Sequence, residues 1–215
     1  DDFVAECNTR LSEVLDHLID TGAADPDRIA ACGTSRGGFL AIHFAAHDDR
    51  VRCVAGFAPV TDLEALSEFH EIADDPFVHS LSISKQAERL AGRPVWIVIG
   101  DHDDRVGTDR SIALARRIAN ASREKGKESR VDLHVLAEPR GHTTPPGSTR
   151  LAADWMLRLL SAETTASITP DDTPDATAPA ESPQFVPTRP SRRLLLVDDH
   201  HVLYRSGTRR VFHPA

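Results

Sequence analysis

A serine set between glycines opens the chemistry of this chain. Cys32-Gly-Thr-Ser-Arg-Gly-Gly38 reads G-x-S-x-G-G and lies between a short apolar run at 28–32 and an apolar segment at 39–46. That is the order strand, sharp turn, helix, with Ser35 at the apex. A Cβ on Gly33 or Gly37 would collide with the neighbouring strand or helix. The glycines therefore permit a turn tight enough to lift the hydroxyl above the end of a sheet. The N–H of Arg36 then stands beside that hydroxyl at a helix N-terminus. The plainer alternative is a glycine-rich turn whose serine merely caps the helix.

A serine hydroxyl attacks a carbonyl only when a base removes its proton, and the base needs a carboxylate to orient it and stabilise its cation. In a parallel sheet such groups meet when each lies at the C-terminal end of a strand. Two later apolar runs end that way, in Gly100-Asp-His-Asp-Asp-Arg-Val106 and in Glu138-Pro-Arg-Gly-His142. The order serine, acid, histidine is thus met, with His142 as the base. The alternative for His142 is a loop histidine that bonds only to backbone. Asp101, Asp103 and Asp104 compete for the acid, and those not chosen read as solvated turn carboxylates or local backbone caps. His102 reads as a surface turn residue and His134 as a strand residue. A calcium loop at 101–103 is disfavoured, because its glycine and terminal glutamate are missing.

Three pieces, Gly33-Thr-Ser-Arg-Gly-Gly38, Gly100-x-x-Asp103-x-x-Val106 and Gly141-His142, resemble the α/β-hydrolase family. The likeness is greatest to its prolyl oligopeptidase and dienelactone hydrolase-like branch, and it covers residues 3 to about 160. The resemblance implies Asp103 as the acid, the third residue after the glycine that ends the strand. Asp62 is its rival, at a place where some relatives carry theirs. It implies Arg36 as the backbone donor to the oxyanion, while the Arg36 side chain either pairs with a nearby acid or binds a substrate carboxylate. The implied activity is a serine hydrolase that cleaves an ester or amide of a small molecule or peptide through an acyl-enzyme, with no metal or organic cofactor. An ester is favoured, since no β-propeller or other peptide-selecting domain is visible. A non-catalytic hydrolase-like interaction module is the alternative. The family's first strands and second oxyanion donor lie upstream of residue 3, so the expected fold is an α/β-hydrolase lacking its N-terminal strands. The strand at 28–32 would then be an unprotected edge.

The elements that must position these groups alternate along the chain. Residues 3–20 place Val4, Cys7, Leu11, Val14, Leu15, Leu18 and Ile19 on one helical face, and Thr21-Gly22 stops the helix. Strands are expected at 28–32, 51–57, 94–99 and 130–136. Helices are expected at 39–46, 63–69 with Asp62 as cap, 84–91, 109–125 and 148–160. Residues 70–83 read as irregular, an insertion that either covers the site or packs on the surface. This alternation is an α/β parallel sheet with flanking helices and right-handed crossovers. Asp48-Asp49 and the acids from Glu64 to Glu71 read as solvated faces.

The 215 residues allow one domain, placed at 1–160, and an appendage. Residues 161–190 are Thr, Pro, Asp, Ala and Ser with almost no large apolar side chain, which reads as a disordered linker. Residues 191–215 form a tail or the truncated start of another module. Leu194-Leu-Leu-Val197 followed by Asp198-Asp199 resembles the opening of a response-regulator receiver domain, too short to complete. A net charge of −8 argues against nucleic acid as the main partner. No run is long enough to span a membrane. Three cysteines without metal spacing read as buried or reduced thiols, which favours the cytoplasm.

Overall fold

Apolar runs short enough to be strands alternate with helical periodicity, and the chain folds accordingly. The computed structural model describes residues 2–166, 195–197 and 202–204. Four parallel strands, β1 (Ile29–Thr34), β2 (Val51–Phe57), β3 (Val95–Gly100) and β4 (Val131–Leu136), lie side by side in chain order. The register aligns their C-terminal ends: Thr34 is opposite Phe57, Phe57 opposite Val98, and Gly100 opposite Leu136. Everything that leaves the sheet from those ends therefore shares one rim. β1 stands at one end of the order, as the sequence suggested.

Helices cover both faces. On one, Phe39 and Ile42 of α2 (Arg36–His47) and Leu114 and Ile118 of α4 (Thr108–Glu124) join Ile97 and Ile99 of β3. Val4 and Leu15 of α1 (Phe3–Asp20) belong to the same core. On the other face Ala152, Met156 and Leu160 of α5 (Ser148–Ala166) pack on Cys53, Ala55, Trp96 and Val98. β3 is buried through its whole length, as a strand covered on both faces must be. α2, which carries the serine turn, is buried on nearly every side and is fixed at its far end by charge. Arg93 donates to the carbonyl of Ala45, in the last turn of the helix where acceptors are left without helical partners, and to that of Val51 at the start of β2. Asp48 is not the solvated acid expected. It accepts from Arg50 and from Ser12 of α1, and these bonds, the Arg50 guanidinium foremost, hold its carboxyl down to about 2.

The stretch between β2 and β3 departs from expectation. The helix expected at 63–69 is two 3-10 helices, Leu63–Ala65 and Ser67–Ile72, separated by extended Leu66, whose side chain is buried. Asp62 stands at the cap position but makes no cap bond; it accepts instead from Ser82 and Thr61. Residues 70–83 include a short helix α3 (Pro76–Ser80), started by Asp75, which accepts from the N–H of Phe77. The helix expected at 84–91 is a 3-10 helix, Ile83–Gln86. α5 runs to Ala166, beyond the boundary expected at 160. Most of the linker and tail lies outside the described residues. Within the tail β5 (Leu195–Val197) pairs antiparallel with β6 (Val202–Tyr204). Among the described residues no helix is long and apolar enough to cross a membrane.

His43 ties this stretch to the serine helix. It is buried in α2, its Nε2 lies 2.9 Å from the Leu81 carbonyl, and its ring sits edge-on to Phe39. Nε2–H donates to that carbonyl, and burial, which disfavours the imidazolium, lowers the pKa of the ring below the ordinary 6.5. The unfolded chain therefore binds the proton more readily than the folded one below about pH 6.5. Stability is complete above that pH and falls as pH drops through it, with a slope of at most about 1.4 kcal/mol per pH unit, the limit for one proton. Denaturant midpoints at pH 7.5 and 5.5 should fall further apart for the wild type than for His43→Gln. Parallel behaviour of the two would refute the assignment.

Candidate active site

The turn after β1 is strained in the way the glycine spacing predicts. Ser35 adopts φ 52° and ψ −115°, a backbone region rarely occupied by residues with a side chain. A Cβ at position 33 would lie 2.3 Å from the Gly37 carbonyl, and one at 38 would lie 2.9 Å from the Gly33 oxygen and from Pro59. Only glycine lets helix and strand approach this closely. The strain is held by backbone bonds: Ser35 N–H donates to Phe57 O at 2.9 Å, and Val60 N–H donates to Ser35 O at 3.1 Å. The loop supplying Val60 has its own left-handed residue, Ala58 at φ 42°, whose N–H donates to Val98 O. Alanine carries no sequence signal for such a conformation.

Ser35 occupies the cap position of α2 yet makes no cap bond, so the plain capping alternative fails. Its Oγ instead lies 2.9 Å from Nε2 of His142. The other ring nitrogen, Nδ1, lies 2.8 Å from Oδ2 of Asp103. Asp103 is only 2% exposed, and its second oxygen accepts from Val106 N–H at 3.2 Å. The loop that carries it is closed by Gly107, whose N–H donates to Asp103 O and whose φ is +81°. The three groups come from the ends of β1, β3 and β4, so the aligned rim brings them together. The tautomer with hydrogen on Nδ1 satisfies both contacts: Nδ1–H donates to the carboxylate and Ser35 Oγ–H donates to Nε2.

The rival acids are placed elsewhere. Asp62 faces Ser82, Thr61 and Arg110, which lies 3.4 Å away. Asp104 is exposed on the turn. Asp101 is more than a turn carboxylate: it accepts from the N–H of Glu138 at 2.9 Å, which ties the Asp103 loop to the His142 loop. That bond comes first, and His102 second, in holding its carboxyl below the usual range. The His142 loop is also braced from within. Glu138, buried, takes a two-pronged bond from Arg140 at 2.7 and 2.6 Å, which lowers its pKa. His102 pairs with Asp101, and the His134 ring lies 5.0 Å from that of Trp96, so neither is near the serine by its contacts. Among the described residues no group of three or more histidines, cysteines or acids is arranged to hold a metal ion.

Arg36 begins α2, and as a first-turn residue its N–H has no partner within the helix. The pattern of the prolyl oligopeptidase family matches residues 9–160. The chain belongs to that family. The acylamino-acid-releasing enzyme of Arabidopsis thaliana is 29% identical over 152 residues, 59% of this chain and 19% of its own length. The chain thus spans about a fifth of that relative. Among solved structures, the acylaminoacyl peptidase of Pyrococcus horikoshii superposes with a TM-score of 0.56 at 17% identity, covering 68% of this chain and 26% of that one. An esterase from Pyrococcus furiosus does so with 0.51 at 17%, covering 73% and 60%. These two likenesses are of fold, and the fold is the α/β-hydrolase sheet. The elbow, the Asp103 loop and the His142 loop all lie within the matched span.

Proposed function

We propose that this domain carries the catalytic residues of a serine hydrolase acting on an ester or amide bond through an acyl-enzyme. The observation that carries the reading is the unbroken relay from Ser35 Oγ through His142 to a buried Asp103. Ser35 Oγ attacks the carbonyl carbon while His142 Nε2 takes its proton. The oxygen of the tetrahedral intermediate accepts a hydrogen bond from the N–H of Arg36. His142 then gives the proton to the leaving alcohol or amine, which departs and leaves Ser35 acylated. Water, deprotonated by the same nitrogen, releases the acid and restores the serine. Asp103 holds Nδ1–H and stabilises the imidazolium in both halves.

Membership of a peptidase family and the likeness in fold to a peptidase and an esterase support hydrolysis of either bond type. A small-molecule ester or a short peptide is the proposed substrate. A fluorophosphonate probe tests the reading without knowledge of that substrate. The folded full-length protein should be labelled at Ser35, read by peptide mass, with labelling lost in His142→Ala. A folded protein that takes no label refutes the proposal.

A further inference from the structure

Arg36 follows the serine, and Arg105 stands two residues after Asp103. Glu68 lies on the 3-10 helix Ser67–Ile72. Three distant stretches of chain thus meet at the rim where serine and acid emerge. Glu68 Oε1 accepts from Arg105 Nη2 at 3.0 Å and faces Arg36 Nη1 at 4.0 Å. Two guanidinium groups converge on one carboxylate oxygen, and in this trio two positive charges face one negative.

We propose that Arg36 and Arg105 form a carboxylate-recognition site beside the nucleophile, for a substrate with a carboxylate a few bonds from the scissile carbonyl, and that Glu68 fills it when substrate is absent. The proposal rests on the serine-hydrolase reading above. A guanidinium is planar and permanently charged, with donors spaced to match a carboxylate. No residue of Ser67–Ile72 is fully buried, and Phe69, half-buried against the core, already seats this turn while Glu68 stays on its exposed side. All three side chains are well exposed, Arg36 67%, Arg105 48% and Glu68 44%, so a ligand can reach them. Exposed pairs of this kind hold weakly, and exchanging one carboxylate for another leaves the charge balance unchanged. Arg110 differs: it already faces two carboxylates of this chain, Glu64 at 2.8 Å and Asp62 at 3.4 Å.

The test is binding, so that it does not depend on turnover. In the full-length protein with Ser35→Ala, monomethyl glutarate is titrated by calorimetry beside the uncharged dimethyl ester. Arg105→Gln should weaken the half-ester about tenfold, the loss of roughly one charge-assisted bond. Glu68→Gln should tighten it several-fold by removing the internal competitor. Neither should shift the diester, and opposite responses cannot come from misfolding. Changes under twofold in both variants, equal shifts for the diester, or no binding of the half-ester at millimolar concentration would each overturn the proposal. Failure of the hydrolase reading is read separately, as absence of fluorophosphonate label on the wild type.

Discussion

Replacing Ser35 with Ala should lower the turnover of a p-nitrophenyl acyl ester by the full-length protein about 10⁶-fold, since nucleophile and base act as one unit. The size follows from what the substitution removes. Ser35 Oγ has His142 as its partner, while the bonds that fix the elbow are backbone bonds to Phe57 and Val60 and remain in the variant. Alanine at φ 52° is no more strained than serine there. The unfolding free energy should therefore stay within about 0.5 kcal/mol of the wild type. Loss of turnover at unchanged stability assigns the effect to chemistry. Equal turnover by both forms would remove Ser35 from the mechanism and leave the relay as a structural contact.

What the sequence disclosed, and what it hid, divides along a physical line. The sheet was readable because strand and helix have fixed periods, and β2 falls at Val51–Phe57 as expected. The elbow was readable because close approach of backbones demands glycine: a Cβ at Gly33 would meet the first turn of α2, and one at Gly38 would meet Gly33 of β1 and also Pro59. The order of serine, acid and histidine was readable because each ends a strand. The stretch from Asp62 to Ala91 was not. Its 3-10 turns have no long period, and long-range bonds set them: Asp62 to Ser82, Ile83 N–H to Thr61 O, and Arg110 to Glu64. Asp101 was hidden for the same reason, since its partner lies 37 residues away. Glu68 looks solvated in a string, yet the fold brings Arg105 onto it from 37 residues away, and Asp48, bonded to Arg50 two residues on, gains Ser12 of α1 only in the fold.

The second large loss should come at Asp103, and its argument turns on a contrast with Asp101. Asp103→Asn should reduce turnover about 10⁴-fold. An amide turned with its NH₂ toward Nδ1 makes that nitrogen an acceptor and puts the ring hydrogen on Nε2, where it can no longer take the proton of Ser35. An amide turned the other way keeps the tautomer but lacks the charge that stabilises the imidazolium. Asp101→Asn keeps an oxygen able to accept from Glu138 N–H, so the two loops stay tied and the loss should be about tenfold or less. The pair has to be measured together on one ester, with fluorophosphonate labelling rates as a second readout that bypasses deacylation. If Asp101→Asn gave the large loss and Asp103→Asn the small one, the buried carboxylate facing Nδ1 would not be the working acid. The bond from Glu138 would then belong to the reaction and not to the loops that hold it.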